Sequence, residues 1–453
     1  MYPEYFEARE RALLGERFDS LFAAPEAPAR GLTVNGLRCT PQWLTQRLDA
    51  PLTPSPFCET GFVLDDSELR LGKHPYHHAG AFYLQEPSAS APTALLEVRP
   101  GQRVLDMCAA PGGKSSQLAA ALEGQGVLMS NEYEPARAQA LLSNLERMGP
   151  VNSVITTGDT ARLAAALPGW FDRVLVDAPC SGEGMFRKEP QAAAQHSQTL
   201  VTRCAALGAE ILENAATVLA PGGLLVYSTC TFAPEEDEGQ IGRFLALHPE
   251  FELLDCGVSF GGPGEANRCG EYPFPADKTR RIWPAQGGEG HFMAKLRKSP
   301  EAAVPASRRA KPLRPGKPCA EWLAFAAEYF PALKDQTTQS AGERLFLPPA
   351  AWQGDGLKLN IARCGVTLGR AQKGRFEPDH HLFMAFGPSC ENREELALGD
   401  ERMEAWLRGE EIEARSAKNG WCAVLVDGLP LGGGKVSGGR VKNHYPKALR
   451  NLK

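Results

Sequence analysis

Strand-like and helix-like segments alternate between residues 82 and 298, and this alternation constrains the fold more than any other feature of the sequence. Short apolar runs rich in β-branched or large residues are separated by glycine turns and by amphipathic stretches. Strands that alternate with helices predict a parallel, doubly wound sheet in an α/β domain. We predict strands at residues 103–106, 126–129, 151–157, 171–176, 223–227 and 291–296. We predict helices between them at residues 116–122, 135–148 and 200–218.

The segments outside this domain differ from it in composition. A chain of 453 residues exceeds what one hydrophobic core usually supports. Apolar residues at helical spacing near the start predict a small α/β module over residues 1–80, before the sheet domain at 81–298. Proline, alanine, arginine and lysine with almost no acid predict an exposed basic linker at 299–317. Two further modules are predicted at 318–388 and 389–453.

Cysteine and histidine usage limits the compartment and the metal content. The twelve cysteines include no Cys-x-x-Cys pair, which argues against a zinc cluster or redox dithiol and fits a reducing compartment. The first residues do not resemble an export signal, and no apolar run approaches the length of a membrane span. His380 and His381 have no third ligand at useful spacing. We therefore expect a cytoplasmic protein with no metal and no membrane contact.

Cys180 and Cys230 each follow an apolar run that is typical of a buried parallel strand, and Asp177 ends the first of these runs. Open α/β sheets bind their ligands at the carboxyl edge of the parallel strands. Because a thiolate is a soft nucleophile, two thiols and a carboxylate at this edge predict covalent catalysis. The alternative is that both cysteines are small buried hydrophobic residues, as free cysteines often are.

The glycine turn after the first predicted strand limits the choice of cofactor. A phosphate-binding P-loop requires a glycine where Cys108 stands, so the Gly113-Lys114-Ser115 ending is only a partial match. A dinucleotide fingerprint requires three spaced glycines, and only Gly112 and Gly113 are present. The turn therefore disfavours both an NTPase and an NAD enzyme.

Acidic residues recur along the same edge of the predicted sheet. Glu132, Asp159 and Asp177 follow or end the second, third and fourth strands. A carboxylate at the end of the second strand can accept hydrogen bonds from both hydroxyls of a ribose. S-adenosylmethionine fits such an edge because it offers a ribose, an adenine amine and a cation but no phosphate. The alternative for each acid is a helix N-cap or a solvated loop.

Five motifs follow one another in the predicted sheet domain: Asp106-Met-Cys-Ala-Ala-Pro-Gly-Gly-Lys114, Asn131-Glu132, Gly158-Asp159, Asp177-Ala-Pro-Cys180-Ser-Gly182 and Ser228-Thr-Cys230-Thr. In this order they resemble the motifs of the RsmB/RsmF/Sun family of RNA cytosine-5 methyltransferases. The segment Lys442-Asn-His-Tyr-Pro-Lys447 is similar to the terminal module of the RsmF branch of that family, which acts on cytidine in the decoding region of 16S rRNA.

The resemblance implies an architecture, a cofactor and a site. The central domain would be a Rossmann-like, mostly parallel methyltransferase domain that uses S-adenosylmethionine. The N-terminal α/β module would bind RNA, and so would C-terminal modules similar to the PUA fold. The residues that would line the cofactor site are Cys108, Ala109, Ala110, Pro111, Gly112, Gly113, Lys114, Glu132, Asp159 and Asp177.

The resemblance also assigns catalytic roles. Carbon 5 of cytosine is too weak a nucleophile to take a methyl group, so a thiolate must first add to carbon 6. Cys230 would be this nucleophile, and Cys180 would assist its release after methyl transfer. Asp177 would hydrogen-bond the edge of the base and stabilise developing charge. Lys188 would contact the base or a phosphate, unless it is a solvated loop lysine.

The C-terminal end is basic inside a chain whose formal net charge is −5. Because Asp427 is the only acid in its last 39 residues, we expect this end to face phosphates rather than form a basic tail. The strand-like run at 421–426 favours a folded module. We expect rRNA, free or within the small ribosomal subunit, as the partner of a monomer. The cations are Arg415, Lys418, Lys435, Arg440, Lys442, Lys447, Arg450 and Lys453.

Three other functions remain open from the residues alone. The same chemistry could act on tRNA, or the chain could be a non-catalytic RNA-binding protein of ribosome assembly. A methyltransferase of small molecules is the third. A cofactor titration would identify a non-catalytic protein, and RNA-stimulated consumption of the cofactor would exclude a small-molecule enzyme.

Overall fold

The computed structural model of the chain describes residues 2–25, 27–65, 69–304, 311, 313, 316 and 319–451. Four β-sheets, each packed against helices, make up this part of the chain. Most of the predicted basic linker, with residues 305–310, 312, 314, 315 and 317, lies outside the described residues, as does Lys453. None of the helices in these ranges is long and apolar enough to cross a membrane.

The N-terminal module combines short helices with a small antiparallel sheet, as the sequence predicts. Thr40 caps one helix by accepting a hydrogen bond from the Trp43 amide at 3.1 Å, and Pro41 takes the first helical position. The elements are α1 (Glu4–Leu14), α2 (Arg17–Leu21), β1 (Gly31–Val34), α3 (Pro41–Thr45), β2 (Leu52–Pro54), β3 (Gly61–Leu64), α4 (Pro75–His78) and β4 (Phe82–Gln85). The strand order is β2-β3-β1-β4.

A doubly wound sheet forms the centre of the molecule, which confirms the predicted fold class. Pro135 begins one of its helices, and Gly149, at φ 76°, ends the same helix in the left-handed conformation that favours glycine. The elements are α5 (Ala91–Leu95), β5 (Arg103–Asp106), α6 (Gly113–Leu122), β6 (Val127–Glu132), α7 (Pro135–Met148), β7 (Ser153–Thr157), α8 (Thr160–Ala166), β8 (Phe171–Asp177), α9 (Pro190–Gln195), α10 (Gln198–Val218), β9 (Leu219–Thr229), α11 (Glu238–Leu247), β10 (Phe251–Leu254), β11 (Gly262–Pro263), β12 (Arg280–Ile282) and β13 (His291–Lys298).

The pairing of these strands determines where a ligand can bind. β9, β8, β5, β6 and β7 are parallel neighbours in this order. β13 adds antiparallel to β9, so its N-terminal end lies at the carboxyl edge of the parallel strands. β5 pairs with β6 on one side and β8 on the other, which makes their carboxyl ends the switch point of the sheet.

Two small modules complete the chain. The first contains α12 (Ala320–Tyr329), β14 (Gln339–Ala341), β15 (Arg344–Leu347), β16 (Ile361–Cys364), β17 (Val366–Gln372), β18 (Arg375–Pro378) and α13 (His380–Phe386). The final module contains β19 (Arg393–Leu396), α14 (Arg402–Arg408), β20 (Ile412–Glu413), β21 (Gly420–Val426), β22 (Leu429–Ser437) and β23 (Arg440–Asn443). Their sheets have the orders β14-β15-β17-β18 and β19-β21-β22-β23-β20.

Both C-terminal modules are tied to the rest of the molecule. β16 leaves its own module and pairs antiparallel with β7 at the edge of the central sheet. The final module and the N-terminal module share one hydrophobic core, in which Leu32 and Tyr76 belong to the same buried cluster as Trp406 and Val424. The Tyr76 hydroxyl also donates to Asp427 at 2.6 Å. The modules at the two ends of the chain are therefore packed as one body.

Candidate active site

The two thiols singled out in the sequence meet at the carboxyl edge of the central sheet. Cys180 lies three residues beyond the end of β8, and Cys230 directly follows β9. Their sulfur atoms are 3.3 Å apart, and both cysteines are free and partly exposed. The Ala178 amide donates to the Ser228 carbonyl at 2.8 Å, which keeps the two strand ends together. The structure thus places both thiols at one point, as the parallel pairing of β8 and β9 requires.

Asp177 lies at the same edge and is surrounded by donors. Its Oδ2 is 2.8 Å from Lys114 Nζ, and its Oδ1 accepts from Ser228 Oγ at 2.7 Å. The Nε2 atom of His291, at the start of β13, is 3.6 Å from Oδ1. Burial raises the pKa of Asp177, but Lys114 and His291 outweigh it and hold this pKa below the ordinary value. Asp177 is therefore ionised at neutral pH and fixed in orientation.

The neighbouring Cys230 influences the protonation of the Cys180 thiol. The hydrogen bond with Cys230 raises the pKa of the Cys180 thiol well above its ordinary value, and burial raises it further. Burial lowers the pKa of Lys114, but the charge and hydrogen bond of Asp177, together with Cys230 and Asp106, outweigh burial and raise this pKa above its ordinary value. Cys180 is therefore a neutral thiol beside Cys230, and Lys114 is a cation close to both sulfur-bearing loops.

A buried carboxylate connects the two thiol-bearing loops. Glu183 accepts two hydrogen bonds from Arg9 of α1, at 2.9 and 2.7 Å, and one from the Phe232 amide at 3.0 Å. Its Oε1 is also 2.7 Å from His196 Nε2. Because Glu183 follows Cys180 and Phe232 follows Cys230, this carboxylate ties both loops to the N-terminal helix.

Sequence reasoning missed His291 and Glu183 as site residues. His291 was predicted as the first residue of a strand, and its place at the site depends on β13 running antiparallel to β9. An antiparallel last strand would place its first residue, His291, at the carboxyl edge of the parallel strands. Glu183 carries no comparable signal, because its partner Arg9 is 174 residues away in the sequence.

The predicted cofactor residues surround the turn between β5 and α6. Glu132, at the end of β6, accepts from the Ala110 amide at 3.2 Å and from the Glu134 amide at 3.0 Å. Gly112 adopts φ 112°, and a Cβ there would lie 3.2 Å from Leu141. Cys108, Ala109, Ala110, Pro111, Gly112 and Gly113 all belong to this turn or to the start of α6.

Two aspartates at this edge have contrasting surroundings. Asp106, at the end of β5, is fully buried, and its Oδ2 accepts from Ser115 Oγ at 2.7 Å. Its Oδ1 has no hydrogen-bond partner in the described part of the chain. Burial raises the pKa of Asp106 to about 7. Asp159 is exposed and caps α8 by accepting from the Ala161 amide at 2.8 Å, so it fills the N-cap role that the sequence left open.

This set of groups fits S-adenosylmethionine. Asp106, Glu132 and Asp177 end neighbouring strands, and their carboxylates attract a cation to this edge. Lys114 points to Asp177 and is thus not free to hold a phosphate. Glu132 is positioned at the end of β6, where a ribose would be held. The geometry therefore favours a cationic, phosphate-free nucleoside over a nucleotide.

Three further residues named from the sequence are Lys188, His380 and His381. Lys188 is half-buried in the loop after Cys180, and burial lowers its pKa, although Glu86 and Glu289 oppose this effect. His380 and His381 lie on α13, in the first C-terminal module. Within the described ranges, no cluster of three or more His, Cys, Asp or Glu side chains could hold a metal ion.

Solved structures share the fold of the central domain. A methyltransferase homologue from Pyrococcus horikoshii aligns over 66% of this chain and 95% of its own, with 31% identity and a TM-score of 0.58. The NSun6 structure from the same organism aligns over 65% of this chain and 98% of its own, with a TM-score of 0.57. At 20% identity, the second likeness shows the fold alone.

Curated relatives align over almost the whole chain. The ribosomal RNA small subunit methyltransferase F of Serratia proteamaculans is 32% identical over 99% of this chain and 96% of its own length. The protein of the same name from Klebsiella pneumoniae is 33% identical over the same shares. These relatives therefore match every module and not only the central sheet.

Family models match each module separately. Residues 93–297 match the 16S rRNA methyltransferase RsmB/F model, and residues 2–87 match the N-terminal domain of 16S rRNA methyltransferase RsmF. Residues 324–386 match the RsmF rRNA methyltransferase first C-terminal domain, and 393–451 match the methyltransferase RsmF PUA domain. The chain belongs to the RsmB/F family of 16S rRNA methyltransferases, in its RsmF branch.

Proposed function

We propose that this protein methylates rRNA, specifically carbon 5 of a cytidine in the decoding region of 16S rRNA, through a covalent bond between Cys230 and carbon 6. One observation carries this proposal: two thiols 3.3 Å apart stand beside a carboxylate that is kept ionised by Lys114 and His291. A nucleophile, a releasing group and an acceptor for the base are the three groups that methylation of an unactivated ring carbon requires.

S-adenosylmethionine is the cofactor, and when bound it supplies an electrophilic methyl group on a sulfonium. Glu132 would hold the ribose hydroxyls, and the turn from Cys108 to Gly113 would line the rest of the nucleoside. Asp159 is exposed two residues beyond the end of β7 and remains able to accept a further hydrogen bond while it caps α8.

Addition of Cys230 activates the base. The Cys230 thiolate forms a bond to carbon 6, and the electron pair of the carbon 5–carbon 6 double bond becomes available at carbon 5. Asp177 accepts a hydrogen bond from the exocyclic amine and holds the base edge in place. Lys114 and His291 keep Asp177 ionised, so the acceptor is present before the base arrives.

Release of Cys230 requires a general base that can take the proton from carbon 5. Once Cys230 is bonded to carbon 6, the hydrogen bond that raises the pKa of Cys180 is lost, and its thiol ionises more readily. The Cys180 thiolate then takes the proton from carbon 5, the double bond re-forms, and Cys230 leaves as a thiolate. Its position 3.3 Å from the nucleophile supports this assignment.

The target cytidine must leave its stack to reach the thiols. Bases in an A-form helix hide their reactive face, so flipping the base costs a few kcal/mol unless it lies in a loop. The same thiols would act on a tRNA cytidine. The match of all four modules to 16S rRNA methyltransferase models favours rRNA over tRNA and over a small molecule.

Substitution of each thiol tests the mechanism with labelled 16S rRNA and cofactor. Cys230→Ala should abolish turnover and leave no covalent enzyme–RNA species on a denaturing gel, because no bond to carbon 6 forms. Cys180→Ala should stall as a methylated adduct that survives the gel, because the carbon 5 proton is not removed. Cys204→Ala, which changes a half-buried thiol on α10, is the matched control and should behave as the unsubstituted protein.

An adduct with Cys230→Ala and none with Cys180→Ala would reverse the two roles. Labelling of tRNA in preference to 16S rRNA would move the substrate to the alternative RNA. If neither RNA takes the label and the cofactor binds with no RNA-stimulated turnover, the protein is a non-catalytic RNA-binding factor.

A further inference from the structure

A cavity lies between the two C-terminal modules, next to the contact of α13 with β22. Its volume is about 330 Å³, within the range of about 300–1,000 Å³ that is typical of small-ligand sites. Its lining residues are different from those of the candidate active site. Polar and aromatic side chains line it, namely Arg370, Glu377, Asp379, His380, Phe383 and His444.

A donor and an acceptor stand side by side at this cavity. Arg370 on β17 and Glu377 on β18 are direct cross-strand partners, and both side chains are exposed. Asp379 follows β18 and uses Oδ1 to accept from the His381 amide at 3.0 Å. His380 is a neutral imidazole, because burial lowers its pKa to about 3. The cavity therefore presents a guanidinium and carboxylates, with no second cation in its lining.

Aromatic rings continue from the cavity onto the surface of the final module. His444 lies at the rim, and its ring centroid is 4.6 Å from that of Trp421. Lys435 is the cross-strand partner of Trp421, with Nζ 5.7 Å from the ring. Lys442 is the cross-strand partner of Lys435 on the other side. Rings for stacking and cations for phosphates thus adjoin the cavity.

The glycine run in β22 is what allows this geometry. A Cβ on Gly433 would lie 2.2 Å from the Phe383 ring, and one on Gly432 would lie 2.8 Å from the His380 ring. Both glycines therefore let α13 lie directly against the sheet and bring Phe383 and His380 into the cavity wall. This packing role also explains the glycine run without a bound phosphate.

We propose that this cavity binds one unpaired guanine base of the RNA, an inference that rests on the proposed function in rRNA methylation. Proteins read single-stranded RNA by stacking splayed bases on aromatic or histidine rings and by hydrogen bonds to the Watson–Crick edge. Guanine offers two adjacent donors on that edge, which a carboxylate such as Glu377 accepts together. Arg370 donates to the neighbouring carbonyl oxygen, and His444 provides the stacking surface.

The experiment measures binding of short single-stranded RNA probes to the full chain. Each probe is a uridine oligonucleotide with one central guanosine, adenosine, cytidine or uridine, and affinity is read by fluorescence anisotropy. We expect the guanosine probe to bind roughly tenfold more tightly than the others, which is the size of discrimination that one bidentate contact gives. Glu377→Gln should abolish this preference and leave affinity for the all-uridine probe unchanged.

Glu343→Gln is the matched control, because Glu343 is an exposed glutamate of the same module outside the cavity lining. It should retain the guanosine preference. Equal binding of the four probes, a preference for adenosine, or a preference that survives Glu377→Gln would overturn the proposal. Methylation of 16S rRNA is measured separately, so failure of the enzymatic proposal and failure of the guanine site give different results.

Discussion

At the scale of single residues, the pKa values of two aspartates at one sheet edge are shifted in opposite directions. Asp177 faces Lys114 and His291 and stays ionised. Asp106 is fully buried with one unpartnered oxygen, and its pKa is raised to about 7. Ser115 and Lys114 offset this burial only in part, so an ionised Asp106 lowers the stability of the folded protein. The positive charge of S-adenosylmethionine bound at this edge would favour the ionised form of Asp106.

Asp106→Asn should therefore stabilise the cofactor-free protein at pH 8 and weaken cofactor binding. The folded pKa of Asp106 lies above the ordinary value of 3.8, so the folded state holds this proton more tightly than the unfolded state between about pH 4 and 7. Stability from this group falls as pH rises through that window. The rise in pKa corresponds to at most about 4 kcal/mol. Thermal unfolding at pH 5 and pH 8 measures the gain, and calorimetry measures cofactor affinity.

Asp172→Asn provides the comparison for this prediction. Asp172 forms an ion pair with the Arg103 side chain at 2.7 Å, and it also accepts a hydrogen bond from the Arg103 amide. The same change of side chain should destabilise the protein modestly, with a smaller penalty at low pH. If Asp106→Asn also destabilises the protein at pH 8, burial of an unpaired charge is not what raises this pKa.

At the scale of elements, sequence patterns predicted the segments whose signals are local. Pro135 and Gly149 bracket α7, and continuous apolar runs gave β8 and β9. β12 was missed because two of its three residues are arginines that are buried or half-buried by long-range ion pairing and packing. β16 was missed because its pairing with β7 joins residues about two hundred positions apart. Such contacts leave no periodicity in the sequence.

The candidate site also contains features that the sequence predicted and a contact that it could not predict. The strand ends placed Cys180, Cys230 and Asp177 at one edge, as predicted. The contact of Lys114 with Asp177 could not be read from the glycine turn, which suggested only a place in the cofactor site. Side-chain direction at a turn depends on the partner that the fold provides, and this partner lies on another strand.

Glu183→Gln should destabilise the loops that carry the thiols. The Glu183 side chain is fully buried, and Arg9 and His196 outweigh burial to lower its pKa to about 2. Breaking a buried ion pair by removing one charge costs about 3–5 kcal/mol. Because the folded pKa is depressed, this stability is present above about pH 4.5 and is lost as pH falls toward 2. Urea unfolding at pH 7 and pH 4 measures both effects.

Glu7→Gln, on the same N-terminal helix, is the matched control. Glu7 pairs with Arg11 at 2.8 Å on the exposed side of α1. Exposed pairs of this kind contribute about 0–1 kcal/mol, so the control should change unfolding little. An equally small effect of Glu183→Gln would mean that the link between the two loops does not depend on this charge.

At the scale of the whole molecule, the C-terminal modules cannot be removed to test what they bind. The final module completes the hydrophobic core of the N-terminal module, and the first C-terminal module provides β16 to the central sheet. A truncated chain would lose apolar burial as well as any contact with RNA. Charge substitutions on the surface are therefore the sharper test of an RNA-binding role.

The cations of the basic C-terminal end differ in whether an acid is paired with them. Arg415 pairs with Glu401 and Glu413, and Arg440 lies 3.6 Å from Glu411. These acids precede the basic stretch and were not part of the sequence count. Lys435 and Lys442 are exposed cross-strand neighbours that form no ion pair within the described ranges. Lys435 and Lys442 are thus available to phosphates, as are Lys418 and Lys447, which are also exposed and form no ion pair in the described part of the chain.

Lys435→Gln combined with Lys442→Gln should flatten the salt dependence of binding to an all-uridine RNA. Each contact with a phosphate of single-stranded RNA that is lost removes about 0.7 from the slope of log affinity against log salt, so the double variant should lose about 1.4. Arg415→Gln combined with Arg440→Gln removes the same charge from paired side chains and should change the slope much less. Anisotropy titrations at several salt concentrations give all three slopes. If the two double variants lose the same slope, RNA responds only to total charge, and the surface at Lys435 and Lys442 is not where the phosphates bind.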